Sequence, residues 1–265
     1  MYEFNFHKPA SLDEAKSLFD DAEDGTYLAG GMTLIPTLKQ RLASPSDVID
    51  LSGIAGLNSI AVAADTLTIG ALTPHSTVAN SAELAESLPV LSQLAGLIGD
   101  SQVRNRGTMG GSVANSDPAA DYPAAVVALD STVLTTEREI TGHSFFQDLF
   151  TTQLNEGELI TAIRYSIPKR AAYQKFPNPA SRYAVAGVLV AEFADDVRVG
   201  VTGAGPCAFR HAEMEAALSA DLRESALDAI KVDYSNFNSD LHASAEYRGQ
   251  LVSVMARRAV RALLA

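Results

Sequence analysis

Two short glycine pairs are the residues of this chain best suited to holding a charged ligand. The first is Ala29-Gly30-Gly31-Met32-Thr33. Adjacent glycines let the backbone turn sharply and present N–H groups without Cβ interference. A helix following directly would add the positive end of its dipole, with Thr33 as its cap and as a hydroxyl. Such a cradle suits an anion of pyrophosphate size; the plain alternative is a glycine-rich strand-to-helix turn. The second pair lies in Thr108-Met109-Gly110-Gly111-Ser112, again flanked by hydroxyls, and runs through Val113-Ala114-Asn115-Ser116 to Asp117-Pro118-Ala119-Ala120-Asp121. Asp117 and Asp121 can accept from ribose hydroxyls or an adenine amino group. Asp117 also reads as the cap of a helix starting at Pro118, and Asp121 as a carboxylate at a helix start.

Other candidates carry less. Gly203-Ala204-Gly205-Pro206-Cys207-Ala208 fits G-x-G-x-x-A after a strand. The dinucleotide reading needs a second parallel strand ending in an acidic residue, and the following segments read as helices, so this is a tight strand-to-helix turn. The five histidines, His7, His75, His143, His211 and His242, show no metal-ligand spacing. No G-x-S-x-G elbow is present. Cys207 has no neighbouring cation to activate it and reads as structural. Arg104 and Arg106 read as solvated side chains able to meet phosphate or a partner, and Lys175 as a strand lysine within reach of a shared cleft.

The elements that must position these residues follow from periodicity and punctuation. Residues 2–6, 27–29 and 48–51 read as strands, with helices over 12–19, capped by Ser11 and Glu14 as a capping box, and over 33–42. Residues 59–63 and 66–71 read as a strand pair turning at Ala64-Asp65. Helical patterns cover 75–80 and 83–98. Gly99 to Asp121 reads as an ordered connector too long to be idle. Helix resumes at Pro123 to Leu129, and strands at 133–135 and 159–167. Residues 184–193 and 197–201 read as an antiparallel pair, and 209–219, 222–231 and 243–264 as helices.

Composition narrows the classes. The chain has 265 residues, 47% hydrophobic and 20% charged, which excludes a disordered chain. Its net charge of −12 argues against nucleic acid or an anionic membrane as partner. One cysteine permits no internal disulfide and no Cys-rich zinc or iron–sulfur site, and suggests a reducing compartment. The N-terminus shows no signal-peptide apolar run, and no stretch reaches the ~20 apolar residues of a membrane span.

Taken together and in order, the two glycine motifs resemble those of the FAD-binding medium subunits of the molybdenum hydroxylases, the family of carbon monoxide dehydrogenase, xanthine dehydrogenase and aldehyde oxidoreductase. Val103-Arg104-Asn105-Arg106-Gly107 leads into the second motif as it does in that family. Gly70-Ala71-Leu72-Thr73, Asp117-Pro118-Ala119-Ala120-Asp121, Tyr173-Gln174-Lys175-Phe176 and Ser244-Ala245-Glu246-Tyr247-Arg248 complete the ordered set. Two positions depart from the pattern. Met32 stands where the family often carries His or Gln, and Ser112 where it often carries Asn. The glycines are intact.

The resemblance implies an α+β fold of the vanillyl-alcohol-oxidase (PCMH) type. Two N-terminal subdomains, 1–55 and 56–168, would hold FAD between them. A C-terminal α/β domain, 169–265, with a small antiparallel sheet and helices, would cover the flavin. It implies FAD contacts from Ala29, Gly30, Gly31, Met32, Thr33, Leu34, Thr108, Gly110, Gly111, Ser112, Ala114, Asp117 and Asp121, with Ile160 and Lys175 near the isoalloxazine. A lysine at that edge would stabilise reduced, anionic flavin. Partners would be a small subunit with [2Fe-2S] clusters and a large molybdopterin subunit, as a dimer of heterotrimers in the cytoplasm, passing electrons to an external acceptor. No residue here would act as a catalyst on the organic substrate. Two other classes fit the same residues: a self-sufficient FAD oxidoreductase, and an assembly subunit that has lost its flavin.

Overall fold

A computed structural model describes residues 1–265. The chain starts with a three-stranded parallel sheet. Its elements are β1 (Asn5–His7), α1 (Leu12–Asp21), β2 (Gly25–Leu28), α2 (Leu34–Lys39) and β3 (Asp47–Asp50), with β3 central. Ser11 caps α1 by accepting from the Glu14 amide, while the Glu14 carboxylate reaches back to the Ala10 amide. The expected helix over 33–42 is shorter. Thr33 sits in helical conformation and makes no capping bond, and Arg41 takes a φ of 59° that ends the run. This unit's own core is small: Ala15, Ile49, Leu51 and Ile54 close only with Leu57 and Leu159 from the next segment. Its stability therefore depends on docking.

The second sheet is antiparallel. β4 (Ile60–Ala63) and β5 (Thr66–Gly70) pair across the Ala64-Asp65 turn, as the alternation predicts. Six helices follow before the sheet resumes, the first five being α3 (His75–Asn80), α4 (Ala82–Ser87), α5 (Pro89–Gly96), α6 (Ser101–Arg106) and α7 (Met109–Asn115). The single helix expected over 83–98 breaks at Leu88, because Pro89 removes an N–H and pushes its predecessor out of helical space. The expected connector 99–121 is two helices for much of its length. Asp100 and Thr108 cap them by accepting from the Val103 and Gly111 amides, and Ser116, at φ 48°, closes α7. No helix starts at Pro118. Asp117 accepts from the Ala119 amide instead, and α8 (Tyr122–Ala128) begins four residues later, wholly buried. Next come β6 (Thr132–Thr135), β7 (Glu139–Thr141), α9 (Gly142–Phe145), β8 (Phe146–Asp148), β9 (Thr151–Thr152) and β10 (Ile160–Ser166). The sheet order is β4-β5-β10-β6-β7, with β8 and β9 a separate hairpin. The elements from β7 to β9 are too short to leave a periodic signal.

The third sheet is antiparallel in the order β11 (Arg170–Pro177), β12 (Ala184–Glu192), β13 (Val197–Thr202), β14 (Phe209–Arg210). The strand at 209–210 replaces the start of an expected helix, so the Gly203-x-Gly205 turn joins two antiparallel strands. α10 (Ala212–Ala220) is a regular helix, whereas 222–231 holds only a 3-10 turn at Glu224–Leu227. α11 (Ala245–Leu264) is capped by Ser244. β12 is the keystone strand: Leu189 and Ala191 join the core around α8, and Val188 and Val190 join the core under α11. That two-sided burial explains its unbroken apolar sequence. No helix is long and apolar enough to cross a membrane.

His75, at the start of α3, is buried, and its Nδ1 has no partner. Burial first, then the charge of Arg104, pulls its pKa from 6.5 to about 4. Between those values the unfolded chain binds the proton and the folded chain does not, so stability falls as pH falls through the window. Chemical denaturation of the wild type from pH 7 to pH 4 is expected to show a loss of roughly 3 kcal/mol from this group. In His75→Gln that component of the pH slope disappears.

Candidate FAD-binding site

The two glycine pairs meet because their backbones touch. A Cβ on Gly30 would overlap the Arg106 carbonyl oxygen and lie 2.8 Å from the Gly107 Cα. Only glycine allows that approach. Gly31 turns the chain at φ 75°. The second pair is anchored from the other side. The segment after β5 pairs with it: Met109 and Gly110 amides donate to Thr73 and Ala71 carbonyls, and His75 donates to Gly107. Gly110 seats directly on Ala71, where a Cβ would lie 2.5 Å from the alanine's own. Gly111 faces Ala29 across the gap, with 3.5 Å between its hypothetical Cβ and that methyl.

Between the motifs lies a cavity of about 600 Å³, within the range of cofactor sites. Ala29, Gly30, Gly31, Met32, Thr33 and Leu34 line it from the first sheet. Thr108, Gly110, Gly111, Ser112, Ala114, Asp117, Asp121 and Ile160 line it from the second. The amides of Gly30, Gly31, Met32 and Thr33 donate to no other group of the chain. At the second motif the amides of Met109, Gly110, Gly111 and Ser112 are all engaged, the third by its own cap. Free amides thus come from the first motif and, in the second, from Thr108 alone. The second offers the Ser112 hydroxyl and a bare glycine face.

Lys175 is placed differently from a solvated strand lysine. Its side chain is 3% exposed and does not form the cavity wall. Its ammonium donates to Asp121 Oδ2 at 2.9 Å and to the Leu97 carbonyl, while Tyr173 donates to Asp121 Oδ1 at 2.7 Å. Gly187 makes room for the Tyr173 hydroxyl, which a Cβ there would overlap. Burial pushes the Asp121 carboxyl upward, opposed by the Lys175 charge and by both hydrogen bonds. Burial also raises Asp117, against the Ala119 amide. Tyr183 is raised by burial and by the charges of Asp117 and Asp121.

Tyr183 and Arg182, just before β12, and Ile98 and Gly99, after α5, line the same cavity. Sequence reasoning missed them, and no local pattern marks them. Arg104 and Arg182 donate to the Gly99 carbonyl, so neither is a freely solvated cation. Cys207 is half-buried, its thiol pushed up by burial and by Asp148.

A cavity between two sheets, with free amides, a hydroxyl and two carboxylates on its wall, defines a nucleotide-cofactor-binding protein of α+β fold. Residues 2–170 match the family described as the FAD binding domain in molybdopterin dehydrogenase, and residues 171–263 the CO dehydrogenase flavoprotein C-terminal domain. The chain is 34% identical to the nicotine 6-hydroxylase medium subunit of Paenarthrobacter nicotinovorans, over 96% of this chain and 95% of the relative. It is 33% identical to the carbon monoxide dehydrogenase medium chain of Afipia carboxidovorans, over 97% and 95%. A crystal structure of the Cu,Mo-CO dehydrogenase superposes with a TM-score of 0.91 at 32% identity, covering 99% of this chain and 98% of that one. The chain belongs to the FAD-binding medium subunits of the molybdenum hydroxylases. Its cofactor is FAD, and molybdopterin and the iron–sulfur clusters belong to other subunits. The cradle fits that cofactor: a diphosphate needs close backbone approach and unengaged donors, and Gly30 to Thr33 supply both.

Gly30→Ala is expected to cost at least about 2 kcal/mol and to empty the flavin site, read by urea denaturation and flavin absorbance of the purified complex. Gly96→Ala, where a Cβ meets nothing within 4 Å, should leave both unchanged or raise stability slightly. Lys175→Met, which leaves the buried Asp121 without its counter-ion, should cost about 3–5 kcal/mol, and Asp121→Asn in the same chain should recover most of it.

Proposed function

We propose that this chain is the relay through which a molybdenum hydroxylase passes electrons from the [2Fe-2S] clusters of its small subunit to an external acceptor. The observation that carries the reading is the cavity built from both glycine motifs, in a chain of the medium-subunit family. FAD, when bound, supplies the chemistry that links one-electron delivery to two-electron release. The residues of the chain hold and tune it. Gly30, Gly31, Met32 and Thr33 would donate their free amides to the pyrophosphate, and Ser112 its hydroxyl. Thr108, Gly110, Ala114 and Leu34 would shape the walls. Asp117 and Asp121 would accept from hydroxyl or amino groups of the nucleotide. Ile160 would pack near the ring. Lys175 would act through Asp121, lowering the cost of a carboxylate at the wall.

The oxidised substrate belongs to the large subunit's chemistry. The relatives' names span an N-heterocycle, an aldehyde and carbon monoxide, and one of these classes is our reading for the whole complex. We assign a dimer of heterotrimers in the cytoplasm. On this reading the three sheets are three lobes around one flavin, 1–55, 56–168 and 169–265.

The test uses the intact complex. Substrate should bleach both the cluster and the flavin absorption. A complex stripped of FAD should still reduce its clusters with substrate but lose transfer to the acceptor, and FAD should restore it. Undiminished transfer in the stripped complex would overturn the reading.

A further inference from the structure

The guanidinium of Arg248, on the first turn of α11, is buried and does not line the cavity, yet it is not an ordinary ion-pair partner. Nη1 donates to two carbonyls at once, Val185 at 2.7 Å and Gly203 at 2.6 Å, and Nη2 donates to Asp240 at 2.7 Å. Nε is buried with no partner. A buried cation with an orphaned donor costs stability unless its other bonds compensate. Asp240 is itself held by the amides of His242 and Ala243, so the pair is rigid.

The two carbonyls mark the end of the β12–β13 pair, where the backbones leave no room for a side chain: a Cβ on Gly203, at φ 82°, would lie 2.6 Å from the Ala184 carbonyl oxygen. Ala184, the next residue outward on β12, and Gly203 itself grip the cavity wall. The Ala184 amide donates to Ala119, and the Gly203 amide donates to Pro118. The Thr202 hydroxyl reaches the carbonyls of Pro118 and Ala120, at 3.0 and 2.6 Å. Three consecutive carbonyls, 118 to 120, are therefore docked on the strand end that Arg248 clamps. Asp117 and Asp121 flank that triplet, Tyr183 adjoins Ala184, and all three line the cavity.

We propose that Arg248 is a positioning residue for the flavin site. Its clamp on Val185 and Gly203 sets where the 117–121 wall and the Tyr183 edge stand, so its loss loosens FAD without removing any cofactor contact. The inference rests on the cavity being the seat of FAD.

The experiment compares wild type, Arg248→Lys, Thr202→Val and the double variant within the intact complex, at a temperature where all remain folded. FAD affinity is measured by titration of the stripped complex, and the shape of the bound-flavin absorption band is recorded. A lysine cannot serve two carbonyls and Asp240 in the guanidinium's fan. We expect Arg248→Lys to weaken FAD by about tenfold, as for one lost charge-assisted bond, and to blur the band. Thr202→Val, which keeps shape and removes one hydroxyl, should weaken FAD by a smaller factor. The double variant should weaken it by less than the product of the two, since both act on one strand end. Unchanged affinity and band shape in Arg248→Lys, with only a lowered melting temperature, would overturn the proposal. So would fully multiplicative effects. Should Arg248→Lys fail to assemble, unchanged affinity and band shape in Thr202→Val overturn it alone. If wild-type complex takes up no FAD at this site, the underlying reading fails instead.

Discussion

The backbone of Gly30 lies against the backbone of Arg106 and Gly107 with no space for a single methyl between them. Everything at the site depends on this approach. The first sheet is too small to hold its own core, so it must dock, and its docking edge is the turn that carries the free amides. On the other side, α7 is pinned to the end of β5 through Ala71 and Thr73. The cavity is the space left when two anchored turns are brought together at one glycine. A larger residue there would separate the turns and remove the cradle's geometry, whatever its polarity.

The charges follow from the same arrangement. The chain carries a net charge of −12, and two carboxylates face a cavity suited to a diphosphate. Repulsion between them and an anionic cofactor is limited by how each is held. Asp121 is bound by Tyr173 and Lys175 from the third sheet, so its charge is balanced by a buried ammonium before any ligand arrives. Asp117 is raised by burial. The low-dielectric surroundings that make these groups costly also make their hydrogen bonds strong.

The third sheet therefore does more than cover one side. β12 joins two cores through its two faces, and the strand ends at Ala184 and Gly203 hold the 118–120 carbonyls. The wall of the cavity is built by the second segment but positioned by the third. This fits a protein whose chemistry is supplied by a cofactor, where the chain's task is to fix orientation and field.

Local signals were enough for much of this. The Ser11 cap, the Ala64-Asp65 turn and the apolar run of β12 each depend on neighbours within a few residues, and the two glycine motifs, taken in order, resembled those of an FAD-binding family. Other features were hidden because they depend on contacts distant in sequence. The helix α7 is built largely from residues of poor helical propensity, Gly110, Gly111, Ser112, Val113 and Asn115, and it forms where Gly110 seats on Ala71. Lys175 looks like a surface lysine until β11 places it beside Asp121, 54 residues away. Tyr183 and Arg182 line the cavity from a segment with no pattern of its own. The sequence by itself determined which residues can turn, cap and fill. Only the tertiary structure decided which glycine touches which backbone, which amides stay free and which lysine is buried, because close approach and burial are set by packing between segments far apart in the chain.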